Sequence, residues 1–256
     1  MSVAASRRPR WVAGEFRERG RRAARGFAVA ALLAASFAVG APVVAAEAAV
    51  HFVRTDALDF LRLLPPPAAA GSPAAAADLN AVLQVQAWRS AEQVAWARRV
   101  DDGSLYVFAD ALGPWFHAER LPVTAALLEA VDADQEIGVG VAKRLFARPR
   151  PFVTDDRVQP CVPRLADFSY PSGHAVQFFV EAGVLAELIP EKRADLMDLA
   201  ARLAWGRVIG GVHYPTDLEA GRLLAAAIVD ELKKTPAFQA AVSRSRAEIA
   251  AAAKAR

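Results

Sequence analysis

Three short clusters of this chain carry side chains that could move a phosphoryl group. The first runs from Lys143 through Arg144, Phe146 and Arg148 to Arg150 and Pro151. The second is Pro171-Ser172-Gly173-His174, and the third extends from Arg207 through His213 to Asp217. Together they supply three cations (Lys143, Arg150 and Arg207), a helix start built from small residues, two histidines and one carboxylate. A phosphate monoester brings up to two negative charges, and its transition state spreads charge over the equatorial oxygens. Three fixed cations can stabilise that charge as a metal ion does elsewhere. No dense cluster of His, Cys and Asp argues for a metal site, so the sequence predicts neither metal nor cofactor.

Each cluster has a local logic. Pro149 and Pro151 must end a helix that carries Lys143, because a residue before proline is pushed out of the helical region. Arg150 then stands on an extended corner, where lysine as a point charge and arginine as a planar fork can converge on one anion. The plainer reading is a solvated basic helix end favoured by the helix dipole, and Arg144 and Arg148 are assigned to it. Ser172 can cap a helix opening with Gly173 and His174, whose free N–H groups attract phosphate. His174 at the edge of that site could donate a proton to a departing oxygen; a serine cap beside a partly exposed histidine would look the same. Pro215 suits the first position of a helix, which puts Asp217 near the third. Its carboxylate can reach back to His213, fix the tautomer and leave the other ring nitrogen free as a nucleophile. A structural His–Asp capping pair is the alternative. Arg207, six residues before His213, adds the third cation.

Helices must hold these clusters. Apolar spacing and cap residues predict them over 55–64, 78–99, 104–112, 122–131, 134–146, 173–188, 191–209, 215–234 and from 235 to the end. Asp78 is expected as an N-cap, residues 65–77 as a flexible arm or surface loop, and Trp88 and Trp96 as core residues. Alternating β patterns are nearly absent. The fold class is therefore all-α, a single compact multi-helix domain, with roughly eight to ten helices and no internal repeats. The expected organisation is a leader at 1–46, an arm and Pro/Ala-rich loop at 47–77, and the helical domain at 78–256.

At 256 residues and 54% hydrophobic content the chain can bury one substantial core. Its net charge of +3 is a property of the leader: residues 1–26 hold eight arginines against Glu15 and Glu18, and the rest holds 23 basic and 26 acidic groups. No nucleic-acid partner follows from such a distribution. An uncharged apolar run over 26–46 after that basic flank has the zones of a cleaved secretory signal peptide, which predicts a periplasmic or secreted protein. An uncleaved anchor is the alternative, since about 20 apolar residues span a bilayer. Later apolar stretches are interrupted by Glu181, Glu187, Glu219 and Arg222, so no membrane contact is expected once the leader is gone. Cys161 is the only cysteine, so no intrachain disulfide forms, and the sequence leaves a homo-oligomer open.

The pattern Lys143-x6-Arg150-Pro151, then Pro171-Ser172-Gly173-His174, then Arg207-x5-His213-x3-Asp217 resembles the signature of the type 2 phosphatidic acid phosphatase superfamily. Tyr170-Pro171-Ser172-Gly173-His174, the Leu63-Leu64-Pro65-Pro66-Pro67 stretch and the closing run from Asp217 to Phe238 are similar to the bacterial class A non-specific acid phosphatases. The likeness covers about residues 60–245. It implies a helical fold of the acid phosphatase/vanadium haloperoxidase type, hydrolysis of phosphate monoesters and a phosphohistidine intermediate. Carried over by position, Lys143, Arg150 and Arg207 would bind phosphate with Ser172 and Gly173. His174 would be the general acid, His213 the nucleophile and Asp217 its partner. The chain departs from the pattern at Gly206, where a serine usually precedes the arginine, and at Ala175, where threonine is common. A vanadium-dependent haloperoxidase, a membrane lipid phosphatase and a non-catalytic anion-binding protein stay open as rival readings.

Overall fold

Most of the long helices start on a local signal that the sequence carries in plain view. In the computed structural model, which describes residues 50–254, Ser72 caps α1 (Pro73–Trp88) by accepting from Ala75 N–H at 3.1 Å. Ser90 and Gln93 form a reciprocal capping box at α2 (Ala91–Arg99). α3 (Pro122–Phe146) opens on a proline, and Ser172 caps α4 (Gly173–Leu188). α5 (Arg193–Ile209) follows a single 3₁₀ turn, α6 (Pro215–Lys234) opens on proline, and α7 is Pro236–Lys254. Short turns at Phe60–Leu63, Ala109–Leu112 and Pro151–Thr154 link these elements, and no strand occurs among the described residues. The predicted leader lies outside those residues.

α4 is the axis of the molecule. It is buried along nearly its whole length and touches α3, α5, α6 and α7. A helix apolar on every side can be stable only in such a position. Each leucine or phenylalanine withdrawn from water there contributes roughly 1.5–3 kcal/mol. α6 approaches the start of α4 closely: a Cβ at Gly221 would stand 2.7 Å from Ala175 Cβ and 3.0 Å from the Ser172 carbonyl oxygen. Glycine at 221 is thus what lets the third cluster reach the second.

Several expectations are corrected. α1 begins at Pro73, inside the segment expected to be a loop, and Asp78 is a buried interior residue instead of a cap. The expected 78–99 helix is broken at Arg89, where Ser90 starts a new one. The two helices expected over 122–146 are one, because Asp134 caps nothing on its own helix. Its carboxylate accepts from the backbone N–H groups of His51, Phe52 and Val53 at 2.7–2.9 Å and ties down the N-terminal strip. Residues 55–64 form a 3₁₀ turn and a separate α turn capped by Asp59. Trp88 is 86% exposed instead of core, while Trp96 packs partly against it.

Candidate active site

The three clusters arrive at one end of the molecule. α3 ends at Ala147 in a left-handed conformation, with its N–H on the Lys143 carbonyl, and Arg150 follows in extended backbone. Backbone bonds then knit the loops together: Ser169 N–H donates to the Arg148 carbonyl at 2.8 Å and Ser172 N–H to the Asp217 carbonyl at 3.0 Å. Lys143, Arg150, Gly173, His174 and His213 line a common cavity of about 800 Å³. Ser172, Arg207 and Asp217 stand behind its wall, each fully buried.

His213 is held at both ring nitrogens. Nδ1 lies 3.3 Å from Asp217 Oδ2 and 3.4 Å from Ser169 Oγ, while Nε2 faces the Arg150 guanidinium at 3.1 Å. Because the carboxylate can only accept and the guanidinium can only donate, the proton belongs on Nδ1 and the lone pair on Nε2. Burial, then the neighbouring charges of Arg150, Lys143 and Arg207, hold the His213 pKa well below the usual imidazole range. The ring is therefore neutral, with the Nε2 electron pair directed at Arg150. Asp217 sits at the third position of α6, as its spacing predicts, and accepts from Tyr214 N–H at 2.9 Å and Ser169 Oγ–H at 2.5 Å. Burial raises its pKa, while Arg148, Ser169 and that N–H pull it down.

The cations are arranged unequally. Lys143 Nζ donates to Asp167 Oδ2 at 2.7 Å and to the Phe168 carbonyl, and burial lowers its pKa. Arg150 donates to Asp167 Oδ1 at 2.5 Å and to the Val212 carbonyl at 2.9 Å. One half-exposed carboxylate thus bridges two of the three cations. Arg207, fully buried, pairs through one terminal nitrogen with Asp101, and its Nε and other terminal nitrogen have no partner. Buried donors are almost always satisfied in a folded protein, so two orphans on one guanidinium are unusual. His174 keeps Nε2 at 3.0 Å from the Asp101 carbonyl oxygen, and burial together with Arg207 pushes its pKa down to about 4.

Ser172 accepts from Ala175 N–H at 3.3 Å, the cap geometry expected of it. Gly206 does not face the cavity: a Cβ there would lie 2.6 Å from Val100 Cγ2 and 3.6 Å from Trp96 Nε1, so its smallness serves packing against α2. Four residues escaped the sequence reading: Asp101, Asp167, Ser169 and Arg148. Ser169 lies just outside the second cluster. Arg148, assigned to a solvated helix end, is buried and donates to Asp217 and Asp78, both at 2.7 Å, and to Thr216 Oγ1 at 2.8 Å, with its guanidinium 3.8 Å from the Tyr214 ring centre. Its partner Asp78 lies 70 residues away, so no local signal could have found the pairing. Among the described residues no three His, Cys, Asp or Glu side chains converge as a metal site would, and no helix is long and apolar enough to cross a membrane.

Residues 123–235 match the PAP2 superfamily. The likeness to named non-specific acid phosphatases runs further. A "Non-specific acid phosphatase" of Providencia stuartii is 28% identical over 210 residues, covering 78% of this chain and 84% of that one. The "Acid phosphatase" of Zymomonas mobilis is 29% identical over 206 residues, 75% of each. Among solved structures, the first bacterial vanadium-dependent iodoperoxidase superposes with a TM-score of 0.55 at 20% identity, over 69% of this chain and 54% of that one. The chain spans about half the length of that protein, and the likeness is one of fold.

Proposed function

We propose that the protein is an acid phosphatase that hydrolyses phosphate monoesters through a phosphohistidine, without a metal ion. The observation that carries this reading is the state of His213: neutral, oriented through Nδ1 by Asp217 and Ser169, with Nε2 turned toward the cations of the cavity. Lys143, Arg150 and Arg207 hold the phosphate, with the hydroxyl of Ser172 and the N–H of Gly173 at the α4 N-terminus adding donors. Nε2 attacks phosphorus in line; an N–P bond forms as the P–O bond to the alcohol breaks. His174, protonated on the nitrogen not engaged by Asp101, gives its proton to the leaving oxygen. Water then attacks phosphorus, its proton passes to His174, the N–P bond breaks and phosphate leaves.

The named relatives support the hydrolase assignment, and the basic, apolar leader supports export to the periplasm or beyond. Hydrolysis of p-nitrophenyl phosphate in the presence of a chelator tests the reading directly. Enzyme quenched in alkaline denaturant should carry phosphate on His213, and His213→Ala should lose about 10⁴-fold or more in kcat and label nothing. Turnover that disappears with chelator, or a label that persists in His213→Ala, contradicts it. Halide oxidation with vanadate and peroxide in place of ester hydrolysis would move the protein to the peroxidase side of the fold.

A further inference from the structure

The cavity that holds His213 has a second, oppositely charged end. Upstream of Lys143 on α3, its wall is formed by Glu129, Asp132, Gln135 and Glu136, and on α4 by Gln177. Gln135 and Asp132 precede Lys143 by eight and eleven residues, about 12 and 16 Å along the axis. His174 and Gln177 are one turn apart on α4, so the two helices carry the same polarity away from the phosphate end. Behind Gln177 lies Glu181, fully buried; Gln177 Nε2 reaches its Oε1 at 3.0 Å and Asp132 Oδ2 at 3.4 Å. Burial pushes the Glu181 pKa far up and that of Asp132 to about 6, so Asp132 carries its negative charge above about that pH. Arg144 is the single cation lining this part of the wall.

A second observation is independent of that charge. Gln135 is only 7% exposed, lines the cavity, and its Oε1 has no hydrogen-bond partner. Near the phosphate end, buried behind the cavity lining, two nitrogens of Arg207 have no partner either. The unsatisfied groups thus sort by sign: donors where a phosphate would sit, an acceptor where its alcohol would end.

Resting on the phosphatase reading above, we infer that the preferred substrates are phosphomonoesters whose alcohol carries a protonated amine, held against Asp132, Gln135 and Glu136. An ammonium supplies both the positive charge and the N–H donors this wall lacks; a neutral alkyl or aryl group supplies neither. Glu136 stands nearest along α3, seven residues or about 10 Å before Lys143, and the alkyl length that joins the two ends is what a length series measures.

The test is a series of ω-aminoalkyl phosphates of two to six carbons, each against the alkyl phosphate of equal length, at one pH above about 6, where Asp132 is ionised. At the best length the amine should raise kcat/KM about tenfold, the effect of one well-placed charge and hydrogen bond. That ratio should fall toward one in Asp132→Asn, Gln135→Leu and the exposed variant Glu136→Gln. Because the readout is a ratio within each variant, a partial loss of folded enzyme leaves it readable. Alkyl phosphates hydrolysed with no amine preference at any length would overturn the inference and leave the phosphatase standing, as would a preference that survives all three variants. Hydrolysis of neither series would overturn the phosphatase reading and this inference with it.

Discussion

Arg148 and Arg207 are both withdrawn from water, and both face aspartates, yet their surroundings are built on opposite terms. Arg148 has acceptors at both terminal nitrogens: Asp78, Asp217 and Thr216 take their N–H groups and Tyr214 covers its face. Arg207 is left short, with Asp101 on one nitrogen and nothing on two others. A closed network needs nothing more and can serve to hold positions, here the Asp217 that orients His213. An open one stores an unmet demand, which the proposed function assigns to the substrate. Buried arginine by itself says nothing of role; its count of free donors does.

The difference predicts opposite outcomes for the same substitution. Arg207→Met should lower kcat/KM by about 10²–10³-fold or more, the range seen when a transition-state donor is removed. Its melting temperature should stay within about 2 °C of the parent or rise, because an unsatisfied buried charge is relieved. Added phosphate should protect the parent in thermal unfolding and fail to protect this variant. Arg148→Met is the converse. It strands Asp78 and Asp217 in the interior, a loss of about 3–5 kcal/mol, or roughly 10 °C in melting temperature for a domain of this size. Equal destabilisation of both variants would erase the distinction.

The two regions were also unequally legible. α4 and α6 have the bounds their sequence predicts, Gly173–Leu188 and Pro215–Lys234, because Ser172 and Pro215 act on the next three residues. Lys143, Arg150, Gly173, His174 and His213 meet in one cavity because each is fixed by a proline or a cap beside it. Asp78 and Asp134 were misread for the complementary reason. An aspartate before an apolar run looks like a cap, but these two bind Arg148 and the 51–53 backbone, 70 and more residues away. The closed network is therefore the part a local reading cannot see, and the open one is assembled from pieces that it can.

Protonation sharpens the contrast. Arg207 helps hold the His174 pKa near 4, below the ordinary imidazole value, so in the free enzyme the acid form is present below about pH 4 and is lost as pH rises through it. The profile of kcat/KM should fall on that side of neutrality. A bound phosphate dianion favours the imidazolium, so the corresponding fall in kcat should lie at higher pH. In Arg207→Met the repelling cation is gone, and the limb in kcat/KM should move upward in pH, measurable in the residual activity; no comparable cause links Arg148 to His174. A kcat/KM that first declines above pH 7 in the parent would count against His174 as the acid.

The smallest expected effect concerns what fills the open network before substrate arrives. Asp167 stands between Lys143 and Arg150 at 2.7 and 2.5 Å, placing two carboxylate oxygens on the groups a phosphate must engage. It is half exposed, so its ion pairs are screened by water and contribute at most about 1 kcal/mol. Phosphate, with twice the charge and a share of Arg207 as well, displaces it at a modest cost that appears in binding and not in the chemical step. Asp167→Asn keeps the shape and removes the competing charge. KM for a small monoester and the inhibition constant of inorganic phosphate should both fall about three- to fivefold with kcat unchanged, the kinetic form of that same energy. If KM rises instead, Asp167 is holding the cations in place for the substrate, and the bridge it makes belongs with Arg148 on the closed side.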